Sequence, residues 1–257
     1  MSAIHPTAIV AAGAHLGVDV AIGPYSVVGP DVQVGDRCVI KAHVVIEGHT
    51  RIGAGCVVFP FASLGQQTQD LKYKGGLTSV EIGEQTTIRE YVTVHAGTVD
   101  GECTRVGGGC LIMAYCHVAH GCKVGDRVIM SNGASLAGDV TVEPMAVIGG
   151  LSGVHQFCRI GCMAMVGGMT KITQDVPPYV IADGNPAVVH GLNKVAFQRR
   201  GMCEASQKAL KEAFRILYRS GYITAEAVAR IETEVEAVPE VARLVAFVKA
   251  AERGILK

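Results

Sequence analysis

The chain of 257 residues contains no tryptophan and only 6 phenylalanines and 7 tyrosines, which argues against an interior built on large rings and favours a narrow one. No apolar run approaches the roughly 18 residues that a membrane-spanning helix needs, so no membrane insertion is expected. The opening residues MSAIHPTAIV lack the basic and apolar regions of a secretory signal peptide. The formal net charge is +0, so nothing global favours a nucleic-acid partner.

What the sequence does contain is an aliphatic residue at every sixth position. This register runs from Ile4 to Ile172, and only Asp70, Gly76 and Asp100 break it. A period of six is neither the helical period of 3.6 nor the alternation of a strand. Hexapeptide repeats predict a parallel β-helix, in which three hexads make one triangular coil of about 18 residues. The period alone does not give the hand of the coil. Parallel crossovers in other folds are normally right-handed.

A second inward position follows four residues after each aliphatic one and holds small side chains. We interpret the cysteines at this position as small apolar core residues and not as metal ligands or disulfide partners. They are Cys38, Cys56, Cys110, Cys116, Cys122 and Cys158. Nine cysteines, an odd number, without a secretion signal are typical of the reducing cytoplasm, where we expect the protein.

The pattern predicts two domains, a β-helix over residues 1–185 and an α-helical domain over residues 186–257. The motif QDVPPYVIADGNPA ends the hexads, and helical spacing then predicts helices over 204–220, 224–237 and from 239 to near 254. Two loops, near residues 66–79 and 96–105, interrupt the hexads. Insertions in a solenoid often lie on its binding face, which makes the polar residues of the first loop functional candidates.

Two histidines three residues apart, His117 and His120, flank the inward Val118. The hexad places both outside the prism as an exposed pair, and it predicts that His95 and His155 also point outward. Three interpretations stay open on the residues alone. The pair is part of a zinc site like that of the hexapeptide carbonic anhydrases, or supplies a general base, or makes ordinary surface hydrogen bonds.

Several longer motifs follow one another in the order and spacing of one family. They include HPTAIV, QDLKY, TVHAGTV, HVAHGCKVG, VHQFC, QDVPPYVIADGNP and RRG. On these motifs the chain resembles the acyl-carrier-protein:UDP-N-acetylglucosamine O-acyltransferases over essentially its whole length. The resemblance implies a left-handed, mainly β prism followed by an α-helical domain. It also implies a cytoplasmic homotrimer with active sites between neighbouring prisms.

The same resemblance implies the reaction and its partners. An (R)-3-hydroxyacyl group passes from the phosphopantetheine of acyl carrier protein to the glucosamine 3-hydroxyl of UDP-N-acetylglucosamine, in the first step of lipid A synthesis. No bound cofactor and no metal are implied. Hybrid trimers of His120→Ala and Lys72→Ala subunits are expected to regain activity if these two residues act from neighbouring chains.

Residue roles follow from the matched motifs. His120 matches the general base, and Gly138 matches the glycine whose backbone N–H stabilises the oxyanion. Gly168 matches a position that limits acyl-chain length, and its lack of a side chain predicts a longer acyl chain. The adjacent arginines suit a diphosphate through bidentate hydrogen bonds. The residues matched to substrate binding are Asp70, Lys72, His95, His117, His155, Gln156, Asn193, Arg199 and Arg200.

The sequence departs from the family pattern at two positions. Gly121 stands where the family often has Asp after its catalytic His, so an orienting carboxylate has to come from elsewhere. Asp139 stands where the family often has His, and a carboxylate there favours a cationic 3-amino acceptor sugar. The sequence therefore leaves the acceptor and the preferred chain length open.

Three alternatives stay open beside the O-acyltransferase. The sister enzyme that N-acylates the next lipid A intermediate has an N-terminal uridine-binding domain, whereas hexads begin here at Ile4. A zinc hydro-lyase of the carbonic anhydrase type would contain stoichiometric metal. A non-catalytic scaffold does not need the polar loops or the arginine pair.

Overall fold

The computed structural model describes residues 3–257. Most strands are two residues long because each hexad spends only two residues on one face before it turns. In chain order the strands are Ala3–Ile4 (β1), Ile9–Val10 (β2), His15–Leu16 (β3), Ala21–Ile22 (β4), Val27–Val28 (β5), Gln33–Val34 (β6), Val39–Ile40 (β7), Val45–Ile46 (β8), His49–Ile52 (β9), Val57–Val58 (β10), Ser63–Gln66 (β11), Ser79–Ile82 (β12), Thr87–Ile88 (β13), Thr93–His95 (β14), Cys103–Val106 (β15), Leu111–Ile112 (β16), His117–Val118 (β17), Lys123–Val124 (β18), Ile129–Met130 (β19), Ser135–Leu136 (β20), Thr141–Val142 (β21), Val147–Ile148 (β22), Gly153–Val154 (β23), Arg159–Ile160 (β24), Met165–Val166 (β25), Lys171–Ile172 (β26), Val180–Gly184 (β27) and Ala187–Leu192 (β28).

Every third strand joins the same sheet, which gives the prism three parallel faces. The first runs β1-β4-β7-β10-β13-β16-β19-β22-β25-β27-β28, the second from β2 to β26 and the third from β3 to β24. Ile4 pairs with Ile22 in the next coil, whereas the longer coils that carry the loops pair Val58 with Ile88 and Ile88 with Ile112. Both loops therefore leave the register of the faces intact. The parallel β-helix prediction is confirmed.

The aliphatic register fills the interior of the prism. Its members from Ile22 to Ile172 are at most 3% exposed, and the six inward cysteines are buried free thiols. Ile4, in the first described coil, is 46% exposed. Burying one such aliphatic side chain contributes roughly 1.5–3 kcal/mol, so the repeated register is the main source of stability.

The corners of the prism hold residues in left-handed backbone conformation, and five of these carry a column of stacked rings. Tyr25, His43, Phe61, Tyr91 and Tyr115 have φ between 57° and 65°. Successive ring centroids lie 5.1, 5.0, 5.0 and 4.8 Å apart with nearly parallel planes. Bulky residues rarely adopt positive φ, and ring stacking offsets part of that cost.

The C-terminal part begins with the antiparallel hairpin β27–β28, whose turn contains the predicted domain border between residues 185 and 186. Four helices follow: Lys194–Arg200 (α1), Glu204–Arg219 (α2), Thr224–Glu234 (α3) and Pro239–Lys249 (α4). They bury a second apolar cluster around Leu210 and Leu217. The chain then returns to the prism, where the Leu256 N–H donates to the Asp175 carbonyl at 2.9 Å.

Three helix predictions need correction. α3 ends at Glu234 and not at residue 237, because Val235 is extended with ψ 141° and its N–H closes the last turn on Ile231. Thr224 is the first helical residue, and Ile223 holds the N-cap position. α4 ends at Lys249, before the predicted end near Gly254, and the short α1 was not predicted. Within residues 3–257 no helix combines the length and hydropathy needed to cross a membrane.

Candidate active site

A cavity of about 350 Å³ lies where the first loop folds over the second face of the prism. It contains seven of the predicted site residues together with three that were not predicted. Its lining consists of Thr68, Gln69, Asp70, Lys72, His95, His117, Ala119, His120, Gly138 and Gln156. A larger groove of about 840 Å³ runs along the third face, but it contains none of the predicted site residues. The chemistry of the lining, and not the size, therefore identifies the candidate site.

Three residues of the cavity form a vertical column. His120, Gly138 and Gln156 occupy the same place in successive coils, and each follows an inward aliphatic residue by two positions. A Cβ on Gly138 would lie only 2.2 Å from His120 Nε2, so glycine is what lets the imidazole approach the backbone of the next coil. Within residues 3–257 the Gly138 N–H has no hydrogen-bond acceptor, so it is free to donate to a ligand.

His120 is enclosed by the first loop, which corrects the expectation of an exposed histidine pair. Its Nε2 lies 3.7 Å from Asp70 Oδ2, and the two side chains are only 13% and 18% exposed. Thr68 Oγ1 accepts from the Asp70 N–H at 3.1 Å, and Asp70 Oδ1 accepts from the Lys72 N–H at 2.9 Å. These bonds within the loop hold the carboxylate beside the imidazole. His120 Nδ1 is buried and has no hydrogen-bond partner among residues 3–257.

His95 points away from the prism core, as expected, but it is only 7% exposed because the loop covers it. The N–H of Ala96 donates to the Gln66 carbonyl at 2.9 Å, which fastens the start of the loop beside it. Burial lowers the pKa of His95, and repulsion by His120 adds to the effect. The imidazole is therefore neutral at physiological pH and binds a ligand through hydrogen bonds.

His117 lies beside His95, with ring centroids 4.9 Å apart at an angle of 76°. Burial, followed by repulsion from His95 and His120, lowers the pKa of His117 to about 4. Thr93 Oγ1 lies 2.7 Å from its Nδ1, which fixes the ring. The cavity thus contains two neutral histidines next to the candidate base.

Four predicted site residues lie outside the cavity of the single chain. His155 is exposed, with Nδ1 3.1 Å from the Gln156 carbonyl. Asn193 is buried and caps α1, accepting from the Ala196 N–H at 3.2 Å, and its amide donates to Met163 at 2.9 Å. The exposed Arg199 and Arg200 occupy the last turn of α1.

The candidate position that limits acyl-chain length also lies outside the cavity. Gly168 is exposed, and a Cβ there would meet the Gly150 carbonyl oxygen at 3.4 Å, an ordinary contact. Its φ lies outside the left-handed region, so a larger side chain fits at this position without backbone strain.

One carboxylate near the candidate base was not predicted. Glu102, in the second loop, comes together with Asp139 and His120, and their potential ligand atoms lie within 4.8 Å of one another. In the described part of the chain this is the sole cluster of three metal-ligating side chains, and it contains one histidine. The three-histidine zinc set of the carbonic anhydrase alternative is therefore not assembled within residues 3–257 of one chain. The position of Glu102 depends on the path of an irregular loop, so no sequence pattern signalled it.

Comparisons with known proteins agree with this architecture. A family model described as UDP-N-acetylglucosamine O-acyltransferase, domain 2, matches residues 175–256, and a hexapeptide transferase model matches residues 13–48 and 103–138. A relative from Thiobacillus denitrificans, acyl-(acyl-carrier-protein)–UDP-N-acetylglucosamine O-acyltransferase, is 48% identical over 258 residues, covering 100% of both chains. The chain belongs to the UDP-N-acetylglucosamine O-acyltransferase family.

Solved structures of this acyltransferase family superpose closely. LpxA from Acinetobacter baumannii gives a TM-score of 0.96 at 42% identity, and LpxA from Moraxella catarrhalis gives 0.95 at 43%; each match covers 99% of both chains. The Arabidopsis UDP-N-acetylglucosamine acyltransferase gives 0.87 at 33% identity, covering 99% of this chain and 100% of that one. The predicted family and fold class are confirmed.

Proposed function

We propose that the protein transfers an (R)-3-hydroxyacyl group from acyl carrier protein to the glucosamine 3-hydroxyl of UDP-N-acetylglucosamine, the first step of lipid A synthesis. The observation that carries this proposal is the meeting of His120 Nε2 and the unpaired Gly138 N–H in one cavity beside Asp70 and Lys72. The name of the relative from Thiobacillus denitrificans supports both substrates.

The geometry supports a base-catalysed acyl transfer. Nε2 of His120 takes the proton of the sugar hydroxyl while the oxygen attacks the thioester carbonyl. The tetrahedral oxyanion accepts a hydrogen bond from the Gly138 N–H, which needs no reorganisation. Collapse breaks the C–S bond, and the pantetheine thiolate receives the proton back from His120. The Asp70 carboxylate at 3.7 Å stabilises the transient imidazolium.

The neutral histidines and the basic loop residue have binding roles in this scheme. His95 and His117 present hydrogen-bonding ring nitrogens without charge, which suits the uncharged sugar. The ammonium group of Lys72, on the same loop as Asp70, suits a phosphate of the nucleotide. Gln156 completes the upper end of the column above Gly138.

His120→Ala tests the role of the base. We expect kcat to fall by roughly 10²–10⁴-fold, the usual contribution of a general base, with an unchanged urea unfolding curve. The exposed His49→Ala is the matched control, because it removes an imidazole outside the cavity. Near-normal turnover of a folded His120→Ala enzyme would remove His120 from the mechanism.

We propose further that the working enzyme is a cytoplasmic homotrimer in which a neighbouring chain brings Arg199 and Arg200 to the cavity. Both arginines are exposed and without a salt bridge in the described residues 3–257, and the cavity is open. Lys72 and His120 line the same cavity of one chain, which favours their acting from a single chain. Hybrids of Lys72→Ala and His120→Ala subunits are therefore not expected to recover activity.

The informative hybrid combines His120→Ala with Arg200→Ala. If the arginine acts across the boundary, some interfaces in the mixed trimer have both residues intact, and activity returns after subunits are mixed. His120→Ala mixed with Lys72→Ala is the matched control. Equal failure of both mixtures, with trimers verified by sedimentation, would contradict a shared site.

A second acceptor is favoured by a specific observation. Two carboxylates, Glu102 and Asp139, lie beside His120, and their negative charge attracts a cationic 3-amino sugar through space more than it attracts the neutral 3-hydroxy sugar. Acyl transfer to that amine would form an amide in place of an ester. Competition between the 3-hydroxy and 3-amino UDP-sugars at equal concentration separates the two functions by the mass of the product.

A further inference from the structure

Gly121, the residue after the candidate base, has no side chain, yet other groups fill the space that its side chain would take. Gly121 is buried with φ +66°. A Cβ at this position would lie 2.3 Å from Asp139 Oδ1 and 2.8 Å from Glu102 Oε1. Two carboxylate oxygens, one from the next coil and one from the second loop, thus occupy the volume that a side chain at position 121 would take.

Each of these carboxylates is anchored through its other oxygen. Asp139 Oδ2 accepts from Gln156 Nε2 at 3.2 Å, and Glu102 Oε2 accepts from the Thr98 N–H. The Asp139 N–H also donates to the His120 carbonyl at 2.9 Å, which ties the corner of its coil to the candidate base. The oxygens directed at the Gly121 site are Asp139 Oδ1 and Glu102 Oε1, which make no hydrogen bond with the residues that the structure describes.

The imidazole of His120 has one ring nitrogen whose hydrogen-bonding capacity is left unsatisfied by residues 3–257. Its Nε2 edge faces Asp70 and Gly138, whereas Nδ1 is buried and makes no hydrogen bond within the described part of the chain. Leaving a buried hydrogen-bond donor unpaired destabilises the folded state. One ring nitrogen lies within 4.8 Å of an oxygen of both Glu102 and Asp139, a gap that one water molecule or a small side-chain rotation closes.

We propose that Glu102 and Asp139 are a pair of positioning residues that accept a hydrogen bond from the Nδ1–H of His120, directly or through one water. The pair holds the tautomer in which Nε2 carries no proton and faces the acceptor. A carboxylate has the same effect on the histidine of serine proteases. The inference rests on the proposed function, because it takes His120 as the base. Neither carboxylate touches the reacting atoms.

The pair is tested with Asp139→Asn, Glu102→Gln and the double variant. We expect the double variant to lower kcat by about 10–100-fold, a usual effect of an orienting partner, and to leave the KM of both substrates within about twofold. Asp126→Asn is the matched control. Its Oδ1 accepts the Gly108 N–H of the preceding coil at 2.9 Å, and it is not part of the cluster around His120.

A second readout does not depend on turnover. In ¹⁵N NMR of imidazole-labelled protein, the His120 signals, assigned by their absence from His120→Ala, should show a protonated Nδ1 and an unprotonated Nε2. In the double variant they should shift toward the Nε2–H form. This measurement separates the inference from the proposed function, because the tautomer is observed whether or not His120 proves to be the base.

Moving the carboxylate gives the decisive variant. Asp139→Gly alone should lose activity, and Gly121→Asp combined with Asp139→Gly should regain part of it. Positions 121 and 139 both have positive φ, +66° and +59°, which glycine tolerates and aspartate adopts more readily than most residues. Wild-type kcat in the Asn/Gln double variant, or lost kcat with an unchanged His120 tautomer, would overturn the proposal. A folded swap variant that regains no activity would also count against it.

Discussion

Adding a single methyl group at Gly138 should disable the enzyme by displacing His120. A Cβ there would lie 2.2 Å from Nε2 and 2.3 Å from Cε1, whereas ordinary contact begins near 3.4 Å. The ring therefore has to move by about 1.2 Å (3.4 − 2.2). A misplacement of about 1 Å costs roughly 10²-fold in rate, or about 2.7 kcal/mol in activation free energy. We expect Gly138→Ala to lower kcat by about that factor.

The backbone is not responsible for this loss, because φ of Gly138 lies outside the left-handed region and alanine keeps the N–H. Gly153→Ala is the matched control. It adds a methyl group two coils from His117 on the same face, where a Cβ would meet nothing within 4 Å. Steady-state acyl transfer from hydroxyacyl carrier protein measures kcat, and circular dichroism verifies folding.

A double-mutant cycle tests the steric reasoning itself. In a His120→Ala background the ring is gone, so Gly138→Ala should have almost no further effect on the residual rate. Turnover of Gly138→Ala within twofold of wild type would refute the argument. A full additional loss in the His120→Ala background would show that the methyl group acts on the substrate and not on the ring.

Two further predictions concern chain length and pH. Gly168→Met should shift the preferred donor toward shorter acyl chains without abolishing catalysis, because overpacking a formed channel costs about 1–3 kcal/mol. Competition among donors of graded chain length measures this preference. An unchanged preference would show that Gly168 does not limit acyl-chain length. The pKa of His117, about 4 when folded, lies below its unfolded value near 6.5, so the unfolded chain binds the extra proton between these values and stability falls as pH drops through this window. His117→Gln should flatten the decline in the free energy of unfolding between pH 6.5 and 4 by on the order of 2 kcal/mol, as measured by urea denaturation. The exposed His49→Gln should leave that decline unchanged, and equal slopes in both variants would contradict the assignment.

The prism was predictable because its information is local and repeated. Each inward aliphatic residue and each of the six inward cysteines is identified by its place in a hexad, so the strands, the coil length and both loops follow from the sequence. The column of His120, Gly138 and Gln156 follows from the same periodicity, since residues one coil apart lie above one another.

The features of the site that were not predicted depend on the path of irregular segments. The hexad places His95 outside the prism, but only the folded first loop shows that it is covered. Glu102 carries no motif and reaches His120 because the second loop turns back toward the coil. The early end of α3 at Glu234 was also not predictable. Val235 is extended, and helix propensity alone does not predict that conformation.

The vertical column of His120, Gly138 and Gln156 also limits how the gene can change. Inserting or deleting residues between positions 120 and 156 in anything but whole coils would rotate the upper residues onto another face and separate base from oxyanion donor. Lengthening the loops near residues 66–79 or 96–105, which leave and re-enter the same corner, keeps every register above them. Length variation among such proteins should therefore accumulate in those loops and at the ends of the prism, and be nearly absent between the base and the top of its column.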